Sequence, residues 1–323
     1  MKAIRLIATG GPERLETIEV EAPVAGPGQV VVRQTAIGVN YIDTYHRSGL
    51  YPLKLPSGLG MEGAGEVIAV GEGVTRFAPG DRIAFASGPI GAYAELHVVD
   101  AARAVRIPEG VDDRTAAAAL LKGMTSEFLL RRCRPVVAGE TILVHAAAGG
   151  VGQIMVQWAK ALGVKVIATV GSPAKAAKAR DLGADHVILY GEQDVAAEVR
   201  RITSGAGVPV AYDSVGAATF EGTLGSLSRR GVFVSFGNAS GPPPLVEAGK
   251  LMRMGSLFFT RPTLGDYVST PEELDASAAE VFSRIASGEV KIEIGQTFPL
   301  DQAGDAHRAL ESRRTVGSTL LIP

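Results

Sequence analysis

The segment TILVHAAAGGVG at 141–152 restricts this chain more than any other. Apolar residues that read as a buried strand run into a turn of small residues, and the turn opens on a helical run from Val151 to Leu162. Strand, glycine turn and helix in that order begin a dinucleotide-binding βαβ unit. Glycine allows the backbone to approach a pyrophosphate closely, and the helix start meets its charge with N–H groups and the positive end of the helix dipole. Set beside G-x-G-x-x-G the chain reads A-x-G-x-x-G, with Ala147 in place of the first glycine. Ala148, Gly149, Gly150 and Val151 are the expected pyrophosphate contacts.

A degenerate glycine turn is weak evidence alone, but the next hundred residues strengthen it. The apolar segments VKVIATV, HVILY, VPVAYDSV, GVFVSFG and SLFFT alternate with helical stretches around 174–182, 194–203, 220–227 and 245–253. This predicts an α/β fold, a Rossmann doubly wound parallel sheet with helices on both faces. Continuously apolar strands are what burial on both faces demands. In such sheets ligands sit beyond the carboxyl ends of the strands, which singles out Tyr190, Asp213-Ser214-Val215-Gly216 and Phe236-Gly237-Asn238.

The end of the second strand selects the cofactor. Enzymes that use NAD place an acid about 20 residues beyond the glycine turn to hold the ribose hydroxyls. Here the strand ends Thr169-Val170-Gly171-Ser172-Pro173-Ala174-Lys175, a hydroxyl and a cation with no acid. A carboxylate about 4 Å from a 2′-phosphate would cost on the order of 4 kcal/mol at an effective dielectric of about 20. Gly171, Ser172 and Lys175 therefore predict NADPH, with Lys178 and Arg180 as secondary cations.

The flanking sequence has a different texture. A chain of 323 residues suggests about two domains. From residue 1 to about 120, short apolar runs broken by Gly and Pro read as small antiparallel β-structure, with GEVIAVGEGV and PGDRIAF as strand and turn patterns. An Ala- and Leu-rich helix follows Asp112 and is punctuated by Gly123. Beyond Pro262 come a helix at 274–285, a strand-like KIEIGQTFPL, a helix at 301–311 and a terminal strand STLLIP. That tail is too short for a domain and is expected to fold back onto the first β-rich part. The expected division is 1–122 with 263–323, and 123–262 between them.

Bulk properties exclude several classes. Lys plus Arg number 32 against Asp plus Glu at 34 with no basic run, so the sequence gives no electrostatic footprint for nucleic acid, a test that a patch assembled only in the fold would escape. The single Cys133 rules out an intrachain disulfide and a cysteine-based zinc knuckle, and suits a reducing cytoplasm. No signal-peptide pattern opens the chain and no run reaches a membrane span, so neither export nor membrane insertion is expected.

The phrases AIGVNYIDTYHRSGLYP at 36–52, LPSGLGMEGAGEV at 55–67, HAAAGGVG at 145–152, YDSVG at 212–216, VSFGN at 234–238 and ESRRTVGSTLLIP at the end carry a resemblance. Along essentially its whole length the chain resembles the zinc-independent quinone oxidoreductases of the medium-chain dehydrogenase/reductase superfamily. That resemblance implies a GroES-like β-rich catalytic domain interrupted by the Rossmann domain. It also implies cofactor contacts at Asn40, Asp43, Tyr45, Gly150, Val151, Gly171, Ser172, Lys175, Tyr190, Phe236 to Asn238, Phe259, Arg261 and Arg313. Where zinc-dependent relatives read G-V-C and G-H-E, this chain has Gly38-Val39-Asn40 and Gly60-Met61-Glu62. Two ligands are replaced, and His46, His97, His145, His186 and His307 show no ligand spacing and read as polar loop or strand-end residues.

Without such a Lewis acid, the alkoxide formed when an ordinary alcohol or ketone exchanges hydride is poorly stabilised. A quinone, or an alkene conjugated to a carbonyl, delocalises that charge itself. Asn40, Asp43, Tyr45 and Tyr51 are expected in a loop facing the nicotinamide, with Tyr45 or Tyr51 stacking on the acceptor or donating to its oxygen and Asn40 orienting the nicotinamide. The leading expectation is NADPH-dependent quinone reduction. Reduction of enones and a non-catalytic NADPH-binding role, as a stress or crystallin-like structural protein or, as the resemblance implies for some relatives, in RNA binding, are the alternatives. An apolar sixth strand at Leu257, Phe258 and Phe259 would lie at a sheet edge, predicting a homodimer paired there.

Overall fold

The computed structural model describes residues 1–323 as two compact units. The first unit comprises Met1–Met124, Tyr267–Gly288 and Ile292–Pro323, and the second Thr125–Asp266 with Glu289–Lys291.

In the first unit the Gly- and Pro-broken runs form β1 (Lys2–Leu6), β2 (Leu15–Glu19), β3 (Gln29–Val39), β4 (Glu62–Val70), β5 (Arg82–Phe85), β6 (Leu96–Asp100) and β7 (Ala104–Arg106). A helix, α1 (Tyr41–Ser48), lies between β3 and β4, and α2 (Asp113–Phe128) follows β7. β1 and β2 pair alone, while β3 pairs antiparallel with both β4 and β6. The returning tail of the chain completes this sheet, whose β15 (Ser318–Ile322) pairs antiparallel with β3 and whose β14 (Ile294–Pro299) pairs parallel with β15. Ile37, Val67, Phe85 and Tyr93 share one core with Leu300, Ala303 and Leu321, so burial ties the tail to the start of the chain.

In the second unit, chain order gives β8 (Thr141–Val144), α3 (Gly150–Ala161), β9 (Lys165–Val170), α4 (Pro173–Asp181), β10 (His186–Leu189), α5 (Val195–Ile202), β11 (Val208–Asp213), α6 (Phe220–Ser226), β12 (Leu227–Ser235), α7 (Ala248–Arg253) and β13 (Phe258–Thr260). The strands lie in the order β10-β9-β8-β11-β12-β13, all parallel, so the order reverses between β8 and β11. That is the crevice at which doubly wound sheets bind dinucleotides. β12 begins at Leu227 rather than Gly231, because a register shift opposite Val208 and a left-handed Arg230 (φ 59°) let the preceding residues pair.

Three expectations need correction. Residues 41–48 are helical, not a loop: Gly49 closes α1 in the left-handed conformation (φ 86°) and the Asp43 carboxylate accepts from the Asn40 N–H at its start. His46 and His307 are buried helical residues, His307 lying in α10 (Ala303–Glu311). At the sixth strand only Phe258 is exposed; Leu257 precedes the strand inside the core, and the Phe259 ring packs 5.0 Å from that of Phe233.

Gly123 does not interrupt α2. A Cβ there would lie 2.5 Å from Cγ1 of Val281, on the helix α9 (Pro271–Ala286), which follows the short helix α8 (Leu264–Tyr267). Gly123→Ala gains up to about 1 kcal/mol of helix propensity, but overpacking of this kind costs about 1–3 kcal/mol. The variant should unfold at lower urea than the parent, and Val281→Ala should restore the midpoint in the Gly123→Ala background but not raise it in the parent.

Candidate functional site

Each unit carries one group of candidate residues. In the second unit they gather at the carboxyl ends of the parallel strands. Gly149 caps α3 in an extended conformation, and the first helical bond at this end runs from Gln153 N to Gly149 O. The N–H groups of Gly150, Val151 and Gly152 therefore stand at the open end of the helix, as an anion cradle requires. The turn is tight because Ala146 adopts φ 51° and Gly152 sits against its carbonyl; a Cβ on Gly152 would lie 2.3 Å from that oxygen. The left-handed residue is thus Ala146, and the missing first glycine at Ala147 costs nothing locally.

Gly171, Ser172, Lys175 and Tyr190 converge. The Tyr190 hydroxyl lies 2.6 Å from where a Gly171 Cβ would be, so only glycine lets that ring settle over the end of β9. Ser172 caps α4 and its hydroxyl accepts the Lys175 N–H at 3.4 Å. Burial pushes the half-buried Lys175 ammonium below its ordinary pKa, a cost that an anion beside it would remove. Lys178 is partly buried, and Arg180 is exposed on the same helix.

The ends of β11 and β12 are pinned together. Asp213 accepts from Val215 N at 2.7 Å and Gly216 N at 3.0 Å, which folds Ser214 outward in a tight turn. Phe236 N and Ala239 N donate back to the carbonyls of Asp213 and Ser214, and a Cβ on Gly237 would lie 2.4 Å from the Ser214 oxygen. Ser214, Phe236, Gly237 and Asn238 therefore form one ridge. Arg261 is exposed beyond β13, while Phe259 is committed to the aromatic core and offers backbone rather than ring.

In the first unit Asn40 ends β3 and starts α1. Its Nδ2 donates to Glu62 Oε2 at 2.8 Å, and its backbone N–H donates to Asp43 Oδ2, also at 2.8 Å. Glu62 is fully buried and takes further donors from Lys122 Nζ at 3.0 Å and Leu121 N at 2.7 Å. Sequence reasoning missed Glu62 and Lys122 as a pair, because their 60-residue separation leaves no local pattern. Tyr45 is nearly buried, its ring edge-on to that of Tyr51 at 5.3 Å, and Tyr51 is partly exposed, so these two do come together. Arg313 is exposed in a left-handed turn (φ 59°) after α10.

Asp43 lies wholly inside the unit and is a helix-capping carboxylate rather than a presented contact. A directed chain reaches it: Arg47 Nη1 donates to His307 Nδ1 at 3.1 Å, His307 Nε2 donates to the Tyr93 oxygen at 3.0 Å, and the Tyr93 hydroxyl donates to Asp43 Oδ2 at 2.9 Å. Arg47 fixes the tautomer. Burial, reinforced by the Arg47 charge, depresses the His307 pKa to about 3, so this ring stays neutral. Burial raises the Asp43 carboxyl from 3.8 to about 7, against the opposing bonds from Asn40 and Tyr93.

The raised carboxyl has a consequence for stability. Between pH 3.8 and about 7 the folded chain holds a proton on Asp43 that the unfolded chain releases, so this group destabilises the fold progressively as pH rises through that window. Asp43→Asn keeps an acceptor for both donors and removes the charge. Its melting temperature relative to the parent should improve from pH 5 to pH 8.5; a difference independent of pH would show that Asp43 ionises normally.

The sequence matches two family models, described as an alcohol dehydrogenase GroES-like domain over residues 26–109 and a zinc-binding dehydrogenase over residues 150–283. The residues here do not fit the zinc of the second name: no three His, Cys, Asp or Glu side chains gather as a metal group, and Glu62 is already bound to an ammonium and an amide. A quinone oxidoreductase from Pseudomonas aeruginosa is 54% identical over 100% of this chain and 99% of its own. The crystal structure of Escherichia coli quinone oxidoreductase complexed with NADPH superposes with a TM-score of 0.99 at 47% identity, covering 100% of both chains. A 2-haloacrylate reductase from Burkholderia is 43% identical over 97% of this chain and 96% of its own. With a GroES-like β unit, a Rossmann unit of matching strand order and full-length identity at this level, the chain belongs to the quinone oxidoreductase family of the medium-chain dehydrogenases/reductases.

Proposed function

We propose that this protein reduces quinones with NADPH and without a metal. The observation that carries the reading is the pairing of an amide cradle at α3 with a second-strand end that offers Ser172 and a half-buried Lys175 where an acid would select NAD. The NADPH complex of the Escherichia coli relative and the name shared by relatives support both cofactor and acceptor.

NADPH supplies a hydride when bound. Gly150 and Val151, with Ala148 and Gly149 in the turn, hold the pyrophosphate; Gly171, Ser172 and Lys175 hold the 2′-phosphate, with Tyr190 beside the adenosine. Ser214 and Phe236 to Asn238 orient the nicotinamide half, and Phe259, Arg261 and Arg313 complete the cofactor contacts. In the other unit the Asn40 amide nitrogen is committed to Glu62, and Asn40 would orient the nicotinamide. Tyr45 and Tyr51 form an aromatic edge for a flat acceptor, and either hydroxyl can donate to the acceptor oxygen as charge develops there. A quinone needs little more, since its own conjugation spreads the charge and positioning supplies much of the rate.

The compartment is inferred from the single Cys133, which suits a reducing cytoplasm, and no helix is long and apolar enough to cross a membrane. β13 pairs with β12 alone and exposes Phe258, so a homodimer joined at this edge is the assembly expected; light scattering should return twice the chain mass.

Lys175→Ala should weaken NADPH binding by about ten- to a hundredfold, the range of a charge-assisted contact, and leave NADH binding unchanged. Equal losses for both would remove the 2′-phosphate assignment. With NADPH, turnover of a benzoquinone should exceed that of an enone, and Tyr45→Phe with Tyr51→Phe should lower it; preference for the enone would place the chain beside the 2-haloacrylate reductase instead.

A further inference from the structure

His145 follows β8 and immediately precedes the left-handed Ala146, and it is buried to 1% exposure. Both of its ring nitrogens are engaged. Nδ1 lies 2.9 Å from the hydroxyl of Thr169 on β9, and Nε2 lies 2.9 Å from that of Thr223 on α6. The Thr223 hydroxyl lies 2.8 Å from Asp213 Oδ2, which also accepts from the Thr219 hydroxyl at 2.7 Å, while Oδ1 holds the Val215 and Gly216 N–H groups. Thr169 and Thr223 are themselves fully buried. The one Thr223 proton has the Asp213 carboxylate and the Thr219 carbonyl, both at 2.8 Å, as acceptors, and with it on either the ring proton sits on Nε2 and Nδ1 accepts from Thr169. Burial, opposed by the Asp213 charge, lowers the pKa of the ring, which favours its neutral form.

One imidazole thus bonds to the second strand two residues before Gly171, and through Thr223 to the carboxylate that folds the Ser214 turn. Its own backbone leads into the glycine turn, whose Ala147 N–H donates to the Thr169 carbonyl at 3.1 Å. We infer that His145 is a positioning residue for the dinucleotide: held from both sides by Thr169 and Thr223, it sets the place of the pyrophosphate turn relative to the second and fourth strand ends. It touches no cofactor atom in this assignment. The inference rests on the reading of this unit as a pyridine-nucleotide site.

The pyrophosphate is common to NADPH and NADH, whereas the 2′-phosphate is not. A loosened turn should therefore weaken both cofactors by one factor, unlike the loss at Lys175. Thr169→Val and Thr223→Val remove one hydroxyl each at nearly constant volume, and His145→Phe removes both ring partners. Fluorescence titration of the full-length protein should show Kd for NADPH raised about tenfold in each Val variant, the effect of one buried hydrogen bond. Kd for NADH should rise by the same factor, kcat at saturating NADPH should stay within about twofold of the parent, and Thr223→Ser should restore Kd.

If the parent binds neither nucleotide, the site reading itself fails. If the parent binds and the folded Val variants bind equally well, with only their melting temperature lowered, His145 is structural and the inference is overturned. A change in the NADPH to NADH ratio, or a loss of kcat with Kd intact, overturns it also. Should His145→Phe not fold, the two Val variants and Thr223→Ser decide.

Discussion

A carboxylate taken out of water must find donors inside the protein or give up its charge, and the cofactor unit is arranged around one such group. Asp213 is fully buried at the end of β11 and is answered by two backbone N–H groups and two threonine hydroxyls. Meeting those four demands bends the chain back at Gly216, anchors the first turns of α6 and leaves Thr223 turned toward His145. The apolar strands bring the sheet together, but they fix only its layers. The loops beyond the strands are registered against one another, at the tolerance a dinucleotide needs, by this polar cluster beneath them.

The β-rich unit meets the same constraint in two other ways. Glu62 meets Lys122 in the interior at 3.0 Å, and its remaining lone pairs are taken by an amide and a backbone N–H. Asp43 has no cation in contact. It has two donors, both on Oδ2, and burial holds its proton on up to about pH 7. The nearest positive charge along its chain of contacts, on Arg47, is spent first on Glu311 at 2.5 Å and on the neutral ring of His307. Two carboxyls on either side of one asparagine are therefore answered differently, Glu62 by an ammonium and two N–H donors and Asp43 by two neutral donors on one oxygen.

Legibility in the sequence depends on how far apart the cooperating residues lie. The βα series and its order could be read because periodicity and turn residues are local signals, and the glycine turn, Ser172 and Lys175 sit next to the strands that position them. The helix α1 was readable in principle: Asn40 and Asp43 stand at capping-box spacing and Gly49 comes at the stop, yet its eight residues are too short for a convincing apolar period. Tyr93 and His307 meet across 214 residues, and Glu62 and Lys122 across 60, so no spacing announces them. His145 stands beside the glycine turn in the sequence, but its partners are 24 and 78 residues away. Phe258 and Leu257 are equally apolar, and only the end of β13 decides which of them faces solvent.

Asn40 shows why a change of chemistry in this fold is not a matter of one residue. Its side chain completes the shell of Glu62 and its backbone completes that of Asp43, so it belongs to both carboxyl systems at once. A cysteine at this position would present a weak thiol donor in place of an amide donor, weakening the shell of the fully buried Glu62. The Lys122 ammonium would still neutralise Glu62 and repel any cation brought beside it. Restoring the thiolate and imidazole of the zinc-dependent pattern at Asn40 and Met61 would thus not suffice while Lys122 remains. The surroundings of Asn40 are a set of mutually compensating buried groups, and that compensation, more than the replacement of any single ligand, is what a metal would have to displace.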